Sequence, residues 1–93
     1  MQIVRSKKYL NSLQEIMQFI SIDSKKRALT FRNQLDKQIS NIQDMPYKYR
    51  KSIYFNNETI RDLIFKGYTI VYKVDEAKEQ ITILGIKKYK AEL

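Results

Sequence analysis

The sequence predicts an α+β domain in the order β-α-α-β-β-β, with an N-terminal helical hairpin packed on one face of an antiparallel sheet. Three observations carry that expectation. Ile60–Val74 (IRDLIFKGYTIVYKV) is two runs of β-branched and aromatic residues separated by Lys66-Gly67, the composition of paired strands around a two-residue turn. Gln80–Ile86 (QITILGI) is a third such run, set off by the polar segment Asp75–Glu79. Upstream the apolar residues recur at helical spacing instead, in two stretches broken at Ile22-Asp23-Ser24, so two helices are available to cover the sheet.

Each element follows from local chemistry. Gln2–Arg5 (QIVR) is short and β-prone. Ile3 and Val4 point to opposite faces, so this strand is either covered on both or lies at an edge, paired with a later strand. Leu10, Leu13, Met17 and Ile20, with Ile16 alongside, make one apolar helical stripe, and Ser6 stands where an N-cap is needed. Asp23 or Ser24 caps the second helix, which runs to about Gln43 and buries Ala28, Phe31, Leu35, Ile39 and Ile42. So short a link turns the helices back on each other.

Pro46 cannot donate a backbone hydrogen bond and disfavours helix at Met45, so Asp44-Met45-Pro46 ends the second helix. Tyr47–Asn57 (YKYRKSIYFNN) is a basic-aromatic connector with strand composition at Ser52–Phe55 and a turn at Asn56-Asn57. In the hairpin, Ile60, Asp62 and Ile64 share one side against Arg61, Leu63 and Phe65; Tyr68, Ile70, Tyr72 and Val74 share a side against Thr69, Val71 and Lys73. By the same alternation Ile81 and Ile83 oppose Leu84 and Ile86. Lys87–Leu93 is a short basic tail.

Composition narrows the function. The 93 residues make a single domain, 1–93, with 43% hydrophobic and 30% charged residues, which is globular rather than disordered. Cys and His are both absent. No disulfide framework or thiol nucleophile is therefore available, and neither is the usual proton shuttle and metal ligand. The two glycines, Gly67 and Gly85, form no phosphate loop. No cofactor or metal is expected, and conventional enzyme classes are poorly supported. With no long apolar run and no signal peptide, a cytoplasmic protein without membrane association is the expectation. The formal net charge of +8, from 18 basic and 10 acidic residues, favours an anionic partner, nucleic acid or an acidic protein.

The hairpin also carries a family resemblance. IRDLIFKGYTIVYKVD followed by ITILGI resembles the sheet segment of the RelE/ParE toxin superfamily, the toxin half of bacterial type II toxin–antitoxin pairs. It is most similar to the ParE-like branch, whose hairpin reads R-D/E-L-x-x-K-G-Y-x-I-x-Y. The resemblance implies a non-catalytic toxin of the plasmid-stabilisation type that binds DNA gyrase and is neutralised by an acidic antitoxin. Lys87, Lys88, Tyr89 and Arg61 are then the candidate target contacts, and Tyr47, Tyr49, Arg50, Lys51, Tyr54 and Phe55 the candidate antitoxin contacts.

Two alternatives stay open. RelE-like members cut messenger RNA on the ribosome, with the RNA 2′-hydroxyl as nucleophile, and the resemblance places that chemistry on Arg61, Lys87, Lys88 and Tyr89. Here Thr69 stands where those nucleases carry Arg after the Gly-Tyr pair, and the C-terminal cluster lacks His. The other alternative is an inactive toxin that persists as an antitoxin-binding or co-repressing partner. Arg61 itself has two readings. On an open face it is a contact for an acidic partner, and on the helix-facing side it is a structural ion tying sheet to helix.

Overall fold

The turn at Lys66-Gly67 sets the register of the two strands it joins. In the computed structural model, which describes residues 1–88, both residues have positive φ, 46° and 82°. That is the left-handed pair a tight hairpin needs to match strand twist. Phe65 stands opposite Tyr68 across the turn, and pairing continues to Ile60 opposite Lys73. The chain order is β1 (Gln2–Arg5), α1 (Lys7–Asp23), α2 (Lys25–Asn41), β2 (Arg50–Lys51), β3 (Ile60–Phe65), β4 (Tyr68–Asp75) and β5 (Gln80–Lys88). The strands lie side by side as β1-β5-β4-β3-β2.

Three features depart from the expected sheet. First, β1 joins β5 in parallel, with Gln2 opposite Gln80 and Arg5 opposite Ile83, so the sheet is mixed rather than wholly antiparallel. Turn chemistry fixes the direction of strands joined by hairpins; it says nothing about a strand that returns from the far end of the chain. Second, the short connector strand is Arg50–Lys51, not Ser52–Phe55. The Ile53 amide donates to the Asp62 carboxylate at 3.2 Å and the Tyr54 amide to Ser52 Oγ at 3.2 Å. Side chains thus take the amides that a longer ladder would use. Third, Val71 pairs with Gly85 while Tyr72 pairs with Ile83. Leu84 is the extra residue of a bulge, and it moves Ile86 onto the same face as Ile81 and Ile83.

The helices cover one face of this sheet. Phe31, Leu35, Ile39 and Ile42 from the second helical segment, with Tyr9 and Leu13 of α1, pack against Leu63, Ile70, Tyr72, Val74, Ile81, Ile83 and Ile86. The expected stripe of α2 is buried in full, although the helix ends at Asn41 with Ile42 as C-cap. The stripe of α1 is rotated slightly. Tyr9 is fully buried, whereas Leu10 is 48% exposed, because positions 9, 13, 16 and 20 follow one helical face as well as 10, 13, 17 and 20 do. Phe31 meets the rings of Phe65 and Tyr68 at 5.4 and 5.5 Å, and Lys66 donates to Gln34 of α2. The turn is therefore tied to the helix above it.

Ser6 joins the two halves. Its Oγ accepts from the Tyr9 amide at 3.1 Å, capping α1, and donates to the Leu84 carbonyl at 3.0 Å, inside the bulge. Ser24 makes only the capping bond, from the Arg27 amide. Ser6→Ala is expected to cost about 2 kcal/mol and Ser24→Ala about 1 kcal/mol, read from urea unfolding midpoints. Equal losses would mean that the Leu84 contact adds nothing.

Two buried phenols give a pH signature. Burial, with the Asp36 carboxylate nearby, pushes Tyr9 up from 10.0 to about 12. Burial also raises Tyr72, outweighing the nearby Arg61, and its hydroxyl donates to the Pro46 carbonyl at 2.6 Å. Both phenols are neutral in folded and unfolded chains below pH 10, so their stabilising effect is complete there. Between pH 10 and 12 the unfolded chain ionises first, and stability falls as pH rises. Tyr9→Phe and Tyr72→Phe should each flatten the alkaline limb of stability against pH.

Candidate functional site

Strand alternation sorts the candidate residues onto two faces. Arg61 shares the helix-facing side with Leu63 and Phe65 but does not reach a helix. Its Nε donates to the Glu58 carbonyl at 2.9 Å and its Nη1 to the Tyr49 carbonyl at 3.2 Å. The Glu58 carboxylate lies 3.6 Å from Nη2, and the Tyr47 ring lies 4.9 Å from the guanidinium carbon. Its polar contacts are thus to Glu58 and Tyr49. What it ties to the sheet is the connector strand, not a helix. Tyr49 rests against the core and Lys51 pairs with Glu58 at 3.2 Å, so this part of the basic-aromatic segment is a packed sheet edge.

The opposite face is organised by Asp62, which is 1% exposed. Its Oδ2 holds the Ile53 amide and lies 3.5 Å from the Arg50 guanidinium. Its Oδ1 is buried without a partner among the described residues. Those contacts bring Ser52–Phe55 over the sheet. Lys87 pairs with Thr69 across the ladder, and its Nζ lies 3.7 Å from the centroid of the Tyr54 ring. Phe55 and Lys8 complete the surroundings of a cavity of about 250 Å³. Lys88 stands opposite Tyr68 and so points to the helix-facing side; Tyr89 lies outside the described residues. Lys87, Tyr54 and Phe55 are thus brought together, and Arg61 is held apart from Lys87 by the sheet itself.

A second surface lies along the helical hairpin, where a groove for a partner helix is expected but its lining residues are not marked by the sequence. On the solvent side of the helical hairpin, Leu10, Leu13 and Met17 of α1 and Ala28 and Leu29 of α2 line a groove of about 490 Å³ with Lys25 at its rim. Beyond it Phe19 and Ile22 are 72% and 80% exposed. Contiguous exposed apolar surface of this kind is the sort that partners cover. Its sequence signal was the apolar residues outside the core stripes, Leu29, Phe19 and Ile22, whereas Leu10, Leu13, Met17 and Ala28 belong to the stripes themselves.

This architecture is shared with several solved toxins. A chain of the chromosomal ParDE toxin–antitoxin system from P. aeruginosa superimposes with a TM-score of 0.76 at 16% identity, covering 97% of each chain. The isolated E. coli RelE toxin gives 0.68 at 15% identity, covering 98% of this chain and 86% of that one. A chain of the intact E. coli RelBE toxin–antitoxin complex gives 0.65 at 16% identity, with 97% and 98% covered. The fold is therefore that of the ParE and RelE toxins. The family model of the ParE toxin of type II toxin–antitoxin systems, parDE, matches residues 3–90, and the chain belongs to that family. No curated protein matches it in sequence.

If Arg61 fastens the connector to the sheet, Arg61→Ala should lower stability by about 1–2 kcal/mol. Arg61→Lys should restore little, because an ammonium cannot reproduce the forked donation to two carbonyls. Wild-type unfolding midpoints for Arg61→Ala would contradict the structural role.

Proposed function

We propose that this chain is the toxin of a type II pair that arrests growth by binding DNA gyrase and is neutralised in the cytoplasm by a cognate acidic antitoxin. The observation that carries the toxin reading is the family match over residues 3–90. The antitoxin is supported by the RelBE complex among the structural neighbours and by a RelE toxin solved with an antitoxin RelBc peptide. It is also supported by the groove of the helical hairpin, whose apolar lining and Lys25 suit one face of an acidic amphipathic helix. The net charge of +8 speeds such an encounter and makes it salt-sensitive. The basic-aromatic residues Tyr47, Tyr49, Arg50, Lys51, Tyr54 and Phe55 remain a second antitoxin contact in this reading. Lys87 and Lys88 are target contacts. No helix among the described residues is long and apolar enough to cross a membrane.

Gyrase is favoured over messenger RNA cleavage by where the cations sit. A nuclease built on Arg61, Lys87, Lys88 and Tyr89 needs Arg61 and Lys87 on one phosphate. Arg61 is instead bonded to Glu58 and Tyr49 across the sheet from Lys87. Thr69, in the place of the nuclease Arg, is fully buried.

Purified toxin should inhibit supercoiling by purified gyrase at micromolar concentration, while messages from arrested cells stay uncut by primer extension. Codon-specific cuts with normal supercoiling would reverse the assignment, and expression without growth arrest would mark an inactive relic. Leu29→Glu should leave growth arrest intact and weaken rescue by a cognate acidic antitoxin.

A further inference from the structure

The two most exposed large apolar side chains among the described residues sit together near the tip of the helical hairpin. Phe19 and Ile22, in the last turns of α1, are 72% and 80% exposed. Neither lines the hairpin groove or the cavity beside it, and at that exposure both project into solvent. The charge beside them is positive. Ser24 alone separates the two helices, and Lys26 and Arg27 follow in the first turn of α2. These two cations line a cavity of about 570 Å³ together with Ile20, Thr30 and, from the turn between β3 and β4, Lys66. Among the described residues none of the three is ion-paired; Lys66 donates to the neutral Gln34 side chain. Asp23 is the one acidic residue between Phe19 and Arg27.

The ligand chemistry follows from that combination. An acidic protein would suit the cations, but it must also carry a recess matched to two projecting side chains. A small phosphate-bearing ligand without an acyl chain leaves Phe19 and Ile22 in water. A bilayer needs no recess: the ring and the branched chain enter the acyl boundary, and the cations take the phosphates that lie above it. We propose that the hairpin tip docks this protein on an anionic lipid surface, with Phe19 and Ile22 in the acyl boundary and Lys26, Arg27 and Lys66 on headgroup phosphates. This is adsorption of the folded chain and needs no helix long enough to span. It departs from the expectation of a protein without membrane association, because that expectation rests on the length of apolar runs, which two projecting residues do not register. The proposal does not rest on the gyrase reading, and its test contains no gyrase, so either can fail alone.

The test is co-sedimentation of the full chain with sucrose-loaded vesicles. The chain should bind vesicles of equal parts phosphatidylcholine and phosphatidylglycerol and stay in solution with phosphatidylcholine alone. Phe19→Ser combined with Ile22→Ser keeps the charge and should weaken partitioning about tenfold. Lys26→Gln and Arg27→Gln should each weaken it about fivefold. Lys73→Gln, on an exposed position of β4, should stay within about twofold of wild type. The chain has no Trp, so Phe19→Trp adds a single indole. Its emission should shift to the blue on the anionic vesicles and be quenched by lipids brominated in the acyl chain. Emission unmoved by brominated lipid would overturn the proposal, and this arm decides if the double serine variant unfolds early. Unchanged vesicle binding in that variant, with wild-type thermal unfolding, would equally overturn it. Equal losses for Lys26→Gln and Lys73→Gln would replace it with diffuse attraction. An equal blue shift with soluble oligo-glutamate would replace it with an acidic protein partner.

Discussion

Everything in this fold depends on register, and the register of β3 and β4 depends on the two left-handed residues at Lys66-Gly67. Side chains on a strand alternate, so a slip of one residue would exchange every partner across the hairpin between core and solvent. With Phe65 opposite Tyr68, the row of Leu63, Phe65, Tyr68, Ile70, Tyr72 and Val74 faces the helices, and the row of Asp62, Thr69 and Val71 faces away. Gly67 adopts its φ without the steric penalty a Cβ would bring. Lys66 accepts a strained φ and is held there by Gln34. The helical hairpin then has a single apolar surface to settle on.

What could be read from the sequence is what is coded locally. The α2 stripe, the hairpin and the Ser6 cap are each determined by residues within a few positions of one another, and all are found where expected. Ser24 proved to be the second cap. The misplacements arise where distant residues decide. The parallel entry of β1 depends on the far end of the chain. The bulge at Leu84 depends on the Ser6 hydroxyl, 78 positions away, and it reverses the facing of Ile86. The early end of β2 depends on the Asp62 carboxylate taking an amide from nine residues upstream. Alternation is a rule about neighbours, and a single side chain bonded to backbone from elsewhere is enough to break it.

The candidate site divides in the same way. Alternation already put Arg61 on the side of Leu63 and Phe65, so its separation from Lys87 was implicit. What no pattern disclosed is that Arg61 is consumed by two carbonyls and Glu58. The basic-aromatic connector proved to be two things. Its first half is a packed edge held by Arg61, and its second half is a cover drawn over the other face by Asp62. That second half sets Tyr54 and Phe55 beside Lys87 and Lys8, with the Lys87 ammonium against the Tyr54 ring.

The distribution of charge argues that the excess of cations serves a partner. Among the described residues, ion pairs join Arg5 to Asp36, Arg50 to Asp62, Lys51 to Glu58 and Arg61 to Glu58. Three of the four leave both groups partly in water, where each is worth about 0–1 kcal/mol. The apolar core, not the charge, holds the fold, and an unneutralised +8 destabilises a compact chain by self-repulsion. A chain that tolerates that repulsion gains fast, salt-sensitive capture of an anionic surface. Among the places the geometry gives such a surface to land are the hairpin groove with Lys25 and the pocket of Lys8 and Lys87. The two share no lining residue.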